Sequence, residues 1–166
     1  MYLHDHLAGS NFATELLKSL RDQDAHPELA TFAVTLLAEV EKDASILRGV
    51  LDQIGKSPLD VKEALAWVAE KASRLKLQHQ KPESLGTFEA LETLSLGIMG
   101  KLALWNVLAT ITGLDPRIPR LNFEKLAASA KDQFVRVEEH RMKLARFVFA
   151  NTGIAKVGSD RKEGAR

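Results

Sequence analysis

Residues 96–105 read Leu-Gly-Ile-Met-Gly-Lys-Leu-Ala-Leu-Trp, and the only charge among them is Lys101. Extended both ways, the stretch carries Ala90, Leu94, Gly97, Lys101, Leu104, Leu108 and Ile111 at alternating spacings of four and three. That is the period of a helix that buries a seam in a helical bundle. Ile98, Leu102 and Trp105 extend the stripe sideways, so this helix is apolar nearly all round. A lysine in the seam is costly to bury unless a partner comes with it. The stretch therefore predicts an all-α fold and, somewhere else in the core, a polar group that answers Lys101.

Working outward, all five prolines (Pro27, Pro58, Pro82, Pro116 and Pro119) fall between periodic segments. They divide the chain into five helices near residues 2–20, 27–54, 57–79, 84–112 and 122–150. Pro27 and Pro58 suit first helical positions, the latter after a Ser57 cap. Gly55 and Gly113 suit helix C-terminal stops, and Asn122 suits the cap of the last helix. The expected domain is residues 1–151, with 152–166 a polar, glycine-punctuated tail.

The helices at 27–54 and 84–112 are each about 42 Å long at a rise of about 1.5 Å per residue. Short links join the first helix to the second and the fourth to the fifth, which predicts two antiparallel hairpins. The helix at 57–79, about 33 Å long, would return the chain so that the second and fourth helices run in the same direction. Two hairpins joined by a long crossover make a ferritin-like four-helix bundle with an additional helix in the crossover. That additional helix, or a second subunit in a homodimer, would cover the outer face of the helix at 84–112.

Composition narrows the function classes. At 166 residues, 45% of them hydrophobic and 27% charged, the chain can bury one core. A net charge of +1 makes no global case for nucleic acid or a membrane surface. The absence of cysteine excludes disulfides, thiolate metal sites and cysteine nucleophiles. Residues 1–6, Met-Tyr-Leu-His-Asp-His, lack the basic start and apolar run of a leader peptide. Thr93–Ile111, the most apolar stretch, is interrupted by Lys101. The expectation is a soluble cytoplasmic protein.

Each core helix carries a polar residue in or beside its apolar stripe. The second has Asp43 between Val40 and Leu47, the first has His6, and the fifth has Gln133 and His140. Asp43 and Lys101 both lie eleven residues before the expected ends of their helices, so parallel helices place them level. Counting from the two links brings His6 and Gln133 to the same height, to within about one turn, roughly 5 Å. The prediction is a layer of His6, Asp43, Lys101 and Gln133, flanked by Asp5, Glu39 and Asp132. Such a layer can be a buried ion pair that fixes the register of the bundle. It can instead line a pocket, since Gly9, Ser10, Gly97 and Gly100 leave room there. In a third arrangement Lys101 runs out along the helix surface.

A carboxylate-bridged di-metal bundle needs a Glu from each of two helices and a Glu-x-x-His from each of the other two. The second helix has Glu39, Glu41 and Asp43 but no histidine, and the last has Glu138-Glu139-His140 with the spacing wrong. A seam lysine also repels a dication at its own level. No metal or other cofactor is expected; the alternative is a reduced site at Glu139 and His140, or around His6 and Asp43. No Ser-His-Asp or glycine-rich phosphate signature is present, so no catalytic residue is assigned. Lys71, Arg74, Lys76 and Lys81 near Trp67 read as a solvated face, with an anionic partner as the alternative.

Three segments carry a resemblance: Tyr-Leu-His-Asp-His-Leu-Ala-Gly-Ser at 2–10, Trp-Val-Ala-Glu-Lys…Arg-Leu-Lys at 67–76, and the 96–105 run. Together they resemble a family of small uncharacterised bacterial proteins that is similar in shape to ferritin-like bundles. The resemblance implies the fold and brings no activity with it. The functional expectation is a non-catalytic binding or interaction protein, stress-related, without an intact di-iron site. The alternative is a metal-binding or oxidoreductase relative with a non-standard site in the core.

Overall fold

A computed structural model of the chain describes residues 1–23, 27–55 and 83–151. The described residues form four helices and no strand: α1 (Tyr2–Arg21), α2 (Pro27–Ile54), α3 (Glu83–Ile111) and α4 (Phe123–Asn151). The helix expected at 57–79, the basic residues within and beside it, and the tail at 152–166 lie outside the described residues.

Local chemistry explains the boundaries. Pro27 opens α2, where its fixed φ and missing N–H cost nothing. The Oδ1 of Asn122 accepts the Lys125 backbone N–H at 2.8 Å and caps the first turn of α4. Gly55 and Gly113, with φ of 104° and 92°, follow the ends of α2 and α3 in the left-handed conformation that glycine alone adopts cheaply. Between α3 and α4, Asp115 and Arg117 form a local ion pair at 2.6 Å, and the Asp115 carboxyl is held down to about 2 by that hydrogen bonding.

Contacts between named side chains give the helix directions. Phe88 meets Phe149, Glu92 meets Arg141 and Ser95 meets Glu138, so α3 and α4 are antiparallel. Phe32 meets His140 and Glu39 meets Arg136, so α2 and α4 are antiparallel as well. Gln23, just past α1, bonds to Thr87 near the start of α3 at 3.0 Å, whereas His6 approaches Gly100 farther along it. Hence α1 opposes α3, and α2 and α3 run the same way. Contacts are most extensive within the pairs α3–α4 and α1–α2, less so between α1 and α3, and least between α2 and α4.

The core is built from Leu17 and Leu20 of α1, Leu36 and Val50 of α2, Leu91 and Leu104 of α3, and Val137 of α4. Each fully buried aliphatic side chain of this kind contributes about 1.5–3 kcal/mol relative to exposure. Trp105 stacks on Phe123 with ring centroids 6.1 Å apart, which ties α3 to the start of α4.

Two aromatic side chains are exposed: Tyr2 at the start of α1, and Phe147, which faces away from the side of α4 that buries Val148. Along α3, Leu96, Met99 and Val107 also face outward. This helix is long and apolar enough to cross a membrane by length and composition, its most apolar 18-residue window having a mean hydropathy of 1.5. A core helix of a bundle meets the same test, and α3 packs against both α1 and α4.

Candidate functional site

Three positions of the predicted layer, Lys101, Asp43 and Gln133, meet in the middle of the bundle. The Lys101 ammonium donates to Oδ2 of Asp43 at 2.6 Å and to Oε1 of Gln133. Gln133 closes the triangle, its Nε2 donating to the same Asp43 oxygen at 3.3 Å. One turn of spacing decides this geometry: helices of similar length, running parallel or antiparallel, bring residues at matched heights to one level. The side chains of Lys101 and Asp43 are only 14% and 9% exposed. Burial pushes the lysine below its ordinary value, while the Asp43 and Glu39 carboxylates pull it back up and Arg136 adds to the lowering. The arrangement in which Lys101 runs out along the surface is not the one adopted.

His6 reaches the same region but makes no hydrogen bond to the other three. Its ring packs edge-on against Tyr2, with centroids 4.7 Å apart. It is half-buried, and burial lowers its pKa against the opposing pull of Asp5. The imidazole is therefore neutral at pH 7.

The flanking carboxylates occupy different surroundings. Glu39 is half-buried and pairs at 2.6 Å with Arg136, which also reaches Asp132 at 2.8 Å. Hydrogen bonding to Glu39 raises the Arg136 pKa. Asp132 is itself mostly exposed, and Asp5 is exposed at the edge of the layer. Arg136 is the member that sequence reasoning missed. Its signal was available: it follows Asp132 by four residues and Gln133 by three, so it sits one turn from both.

A second polar layer lies toward the other end of α3. Glu138 accepts hydrogen bonds from Arg141, at 2.7 and 2.8 Å, and from Ser95, and these bonds hold its carboxyl below the usual range. No sequence pattern marks this cluster, because Ser95 and Arg141 are ordinary surface residue types.

The candidate metal pair fares differently. His140 stacks on Phe32 with centroids 4.2 Å apart, and burial lowers its pKa. Glu139, the adjacent residue, is exposed. Adjacent residues on a helix point about 100° apart, so the two carry no shared ligand geometry. Among the described residues no group of three or more His, Asp or Glu side chains is arranged to hold a metal ion.

Beside the layer, between α1, α2 and α3, lies a cavity of about 180 Å³. Lys101 and Asp43 form one wall, and His6 and Ser10 another. Small residues create the space: Gly9 and Ala13 on α1, Ala44 on α2, Gly97 and Gly100 on α3. A Cβ built on Gly9 or Gly97 would meet nothing within 4 Å, and one on Gly100 would meet only the His6 ring, at 3.9 Å. Trp105 also lines the cavity, and its buried indole N–H has no hydrogen-bond acceptor. Comparison of the chain with protein families, characterised proteins and solved structures returns no match.

Proposed function

We propose that this chain is a non-catalytic, ferritin-like bundle protein with a binding role, and that the centre of the bundle is occupied by its own cation in place of metal. The observation that carries the reading is the Lys101 ammonium, hydrogen-bonded to Asp43 and Gln133 in the middle of the core. A dication at this level would sit beside a positive charge, and the one buried carboxylate there is already taken up by the lysine. Coulomb repulsion between such charges is several kcal/mol at about 4 Å and an effective dielectric of about 20. The ferritin-like assignment is supported by the helix directions: neighbours antiparallel, and α2 parallel to α3 across the bundle.

The test is elemental analysis of protein purified without chelators, followed by calorimetric titration with Fe²⁺, Mn²⁺ and Zn²⁺. The expected result is substoichiometric metal and no saturable heat. One equivalent or more of any of the three would overturn the reading. A parallel measurement on Lys101→Met shows whether the lysine is what excludes the ion.

A further inference from the structure

The cavity beside the ion pair is unlike a packing defect in three respects. First, it is walled by five glycines and alanines on three different helices, where larger residues would have closed it. Interiors are otherwise packed to crystal density, with few voids larger than a water molecule. Second, it borders a buried acceptor with nothing to accept: Asp43 is 7% exposed, and its Oδ1 takes no hydrogen bond. A buried polar atom without a hydrogen-bond partner is rare. Third, the polar atoms at its edge are of both kinds. Trp105 follows Lys101 by four residues, so the indole lies one turn along the same face as the ammonium. Lys101 uses two of its three N–H donors on Asp43 and Gln133. Asp43 accepts both of its bonds on Oδ2, and Oδ1 accepts none.

The occupant must therefore be mainly apolar, to match walls such as Leu47, Leu94 and Leu104. It must be small: a cavity of about 150 Å³ lined by apolar side chains admits one benzene ring, and this one is about 180 Å³. It must bring a group that accepts from an N–H and donates to a carboxylate or imidazole. A hydroxyl is the smallest group that does both.

We propose that this cavity is a binding site for a small, mainly apolar hydroxyl compound of the size of phenol. Gly97 is exposed and Gly9 half-exposed, so the gap between α1 and α3 is the entrance. The proposal rests on the metal-free reading above, since a dication at the layer would replace the lysine contacts that frame the site. The two fail separately: metal uptake refutes that reading, and absence of phenol binding by metal-free protein refutes only this one.

The experiment titrates the full chain, in a Trp67→Phe background that leaves Trp105 as the only tryptophan, with phenol and, separately, benzene. Binding is read by Trp105 fluorescence and by ligand-observed NMR. Saturable one-to-one phenol binding with a change in Trp105 emission is expected. Gly97→Leu, which fills the entrance, should weaken it tenfold or more, and Gly9→Leu serves if that variant does not fold. Phenol should bind about fivefold more tightly than benzene, the worth of one net hydrogen bond from its hydroxyl. Absence of saturable binding of phenol overturns the proposal. So does phenol binding unaffected by a folded Gly97→Leu or Gly9→Leu variant. Equal affinities for phenol and benzene overturn the role of the hydroxyl.

Discussion

Lys101→Met is the perturbation that tests the core layer most directly. Methionine keeps most of the lysine volume and removes the charge, so packing changes little. Asp43 is then left in a site where its side chain is 9% exposed. Its only remaining bond from the layer is the 3.3 Å contact from Gln133, which is long for an N–H donor. Removing one partner of a buried pair costs about 3–5 kcal/mol, because the other charge stays desolvated. The adjoining cavity gives Asp43 some access to solvent, which places the expected loss near the lower end, about 3 kcal/mol. At roughly 2–4 °C per kcal/mol for a chain of this size, the thermal midpoint should fall by about 6–12 °C. Far-UV circular dichroism during heating and urea titration gives both quantities. Asp43→Leu combined with Lys101→Met should recover most of the loss, since apolar replacements of a buried pair are often neutral or better. A single variant within about 0.5 kcal/mol of the parent, the range of ordinary surface substitutions, would refute the argument. Alkaline pH provides a second readout. The folded ammonium releases its proton below 10.5, whereas the unfolded one holds it to that value. In that interval the unfolded state binds more protons, so the lysine's contribution to stability rises with pH. The gap between parent and Lys101→Met should widen as pH is raised through it.

Two further outcomes are expected. His6 and His140 are both lowered chiefly by burial from the ordinary 6.5; below that pH the unfolded imidazoles take protons that the folded ones refuse, so stability falls on acidification. NMR titration should place both beneath 6.5, and the His6→Asn/His140→Gln variant should lose less stability than the parent between pH 6.5 and 5; equal losses would contradict this. Alanine should act with opposite signs at two glycines: Gly113→Ala, at φ 92°, should cost about 1–2 kcal/mol, while Gly49→Ala, mid-helix in open space, should gain about 0.5–1 kcal/mol, both read from urea midpoints.

The sequence by itself determined the four described helices and the existence of a buried pair. Proline and glycine act on the local backbone, so Pro27, Gly55, Gly113 and Asn122 mark their boundaries without reference to the rest of the chain. The seam around Lys101 is equally local, a matter of residues repeating on one face. Desolvation then demands a partner for the lysine, and equal counts from the helix ends point to Asp43. Heights along matched rods follow from a fixed rise per residue, which is why Gln133 was also found. What only the tertiary structure decided depends on rotation about each helix axis and on the gaps between axes, neither of which is encoded in spacing. Rotation separates His6 from the hydrogen-bonded triangle, turns His140 onto Phe32 and away from Glu139, and brings Arg136 to Glu39. The gap between α1 and α3, set by which small residues happen to face each other, turns a row of glycines beside Lys101 into a cavity. The lysine that reads in sequence as an anomaly is, in the folded chain, one wall of the space where a ligand is proposed to bind.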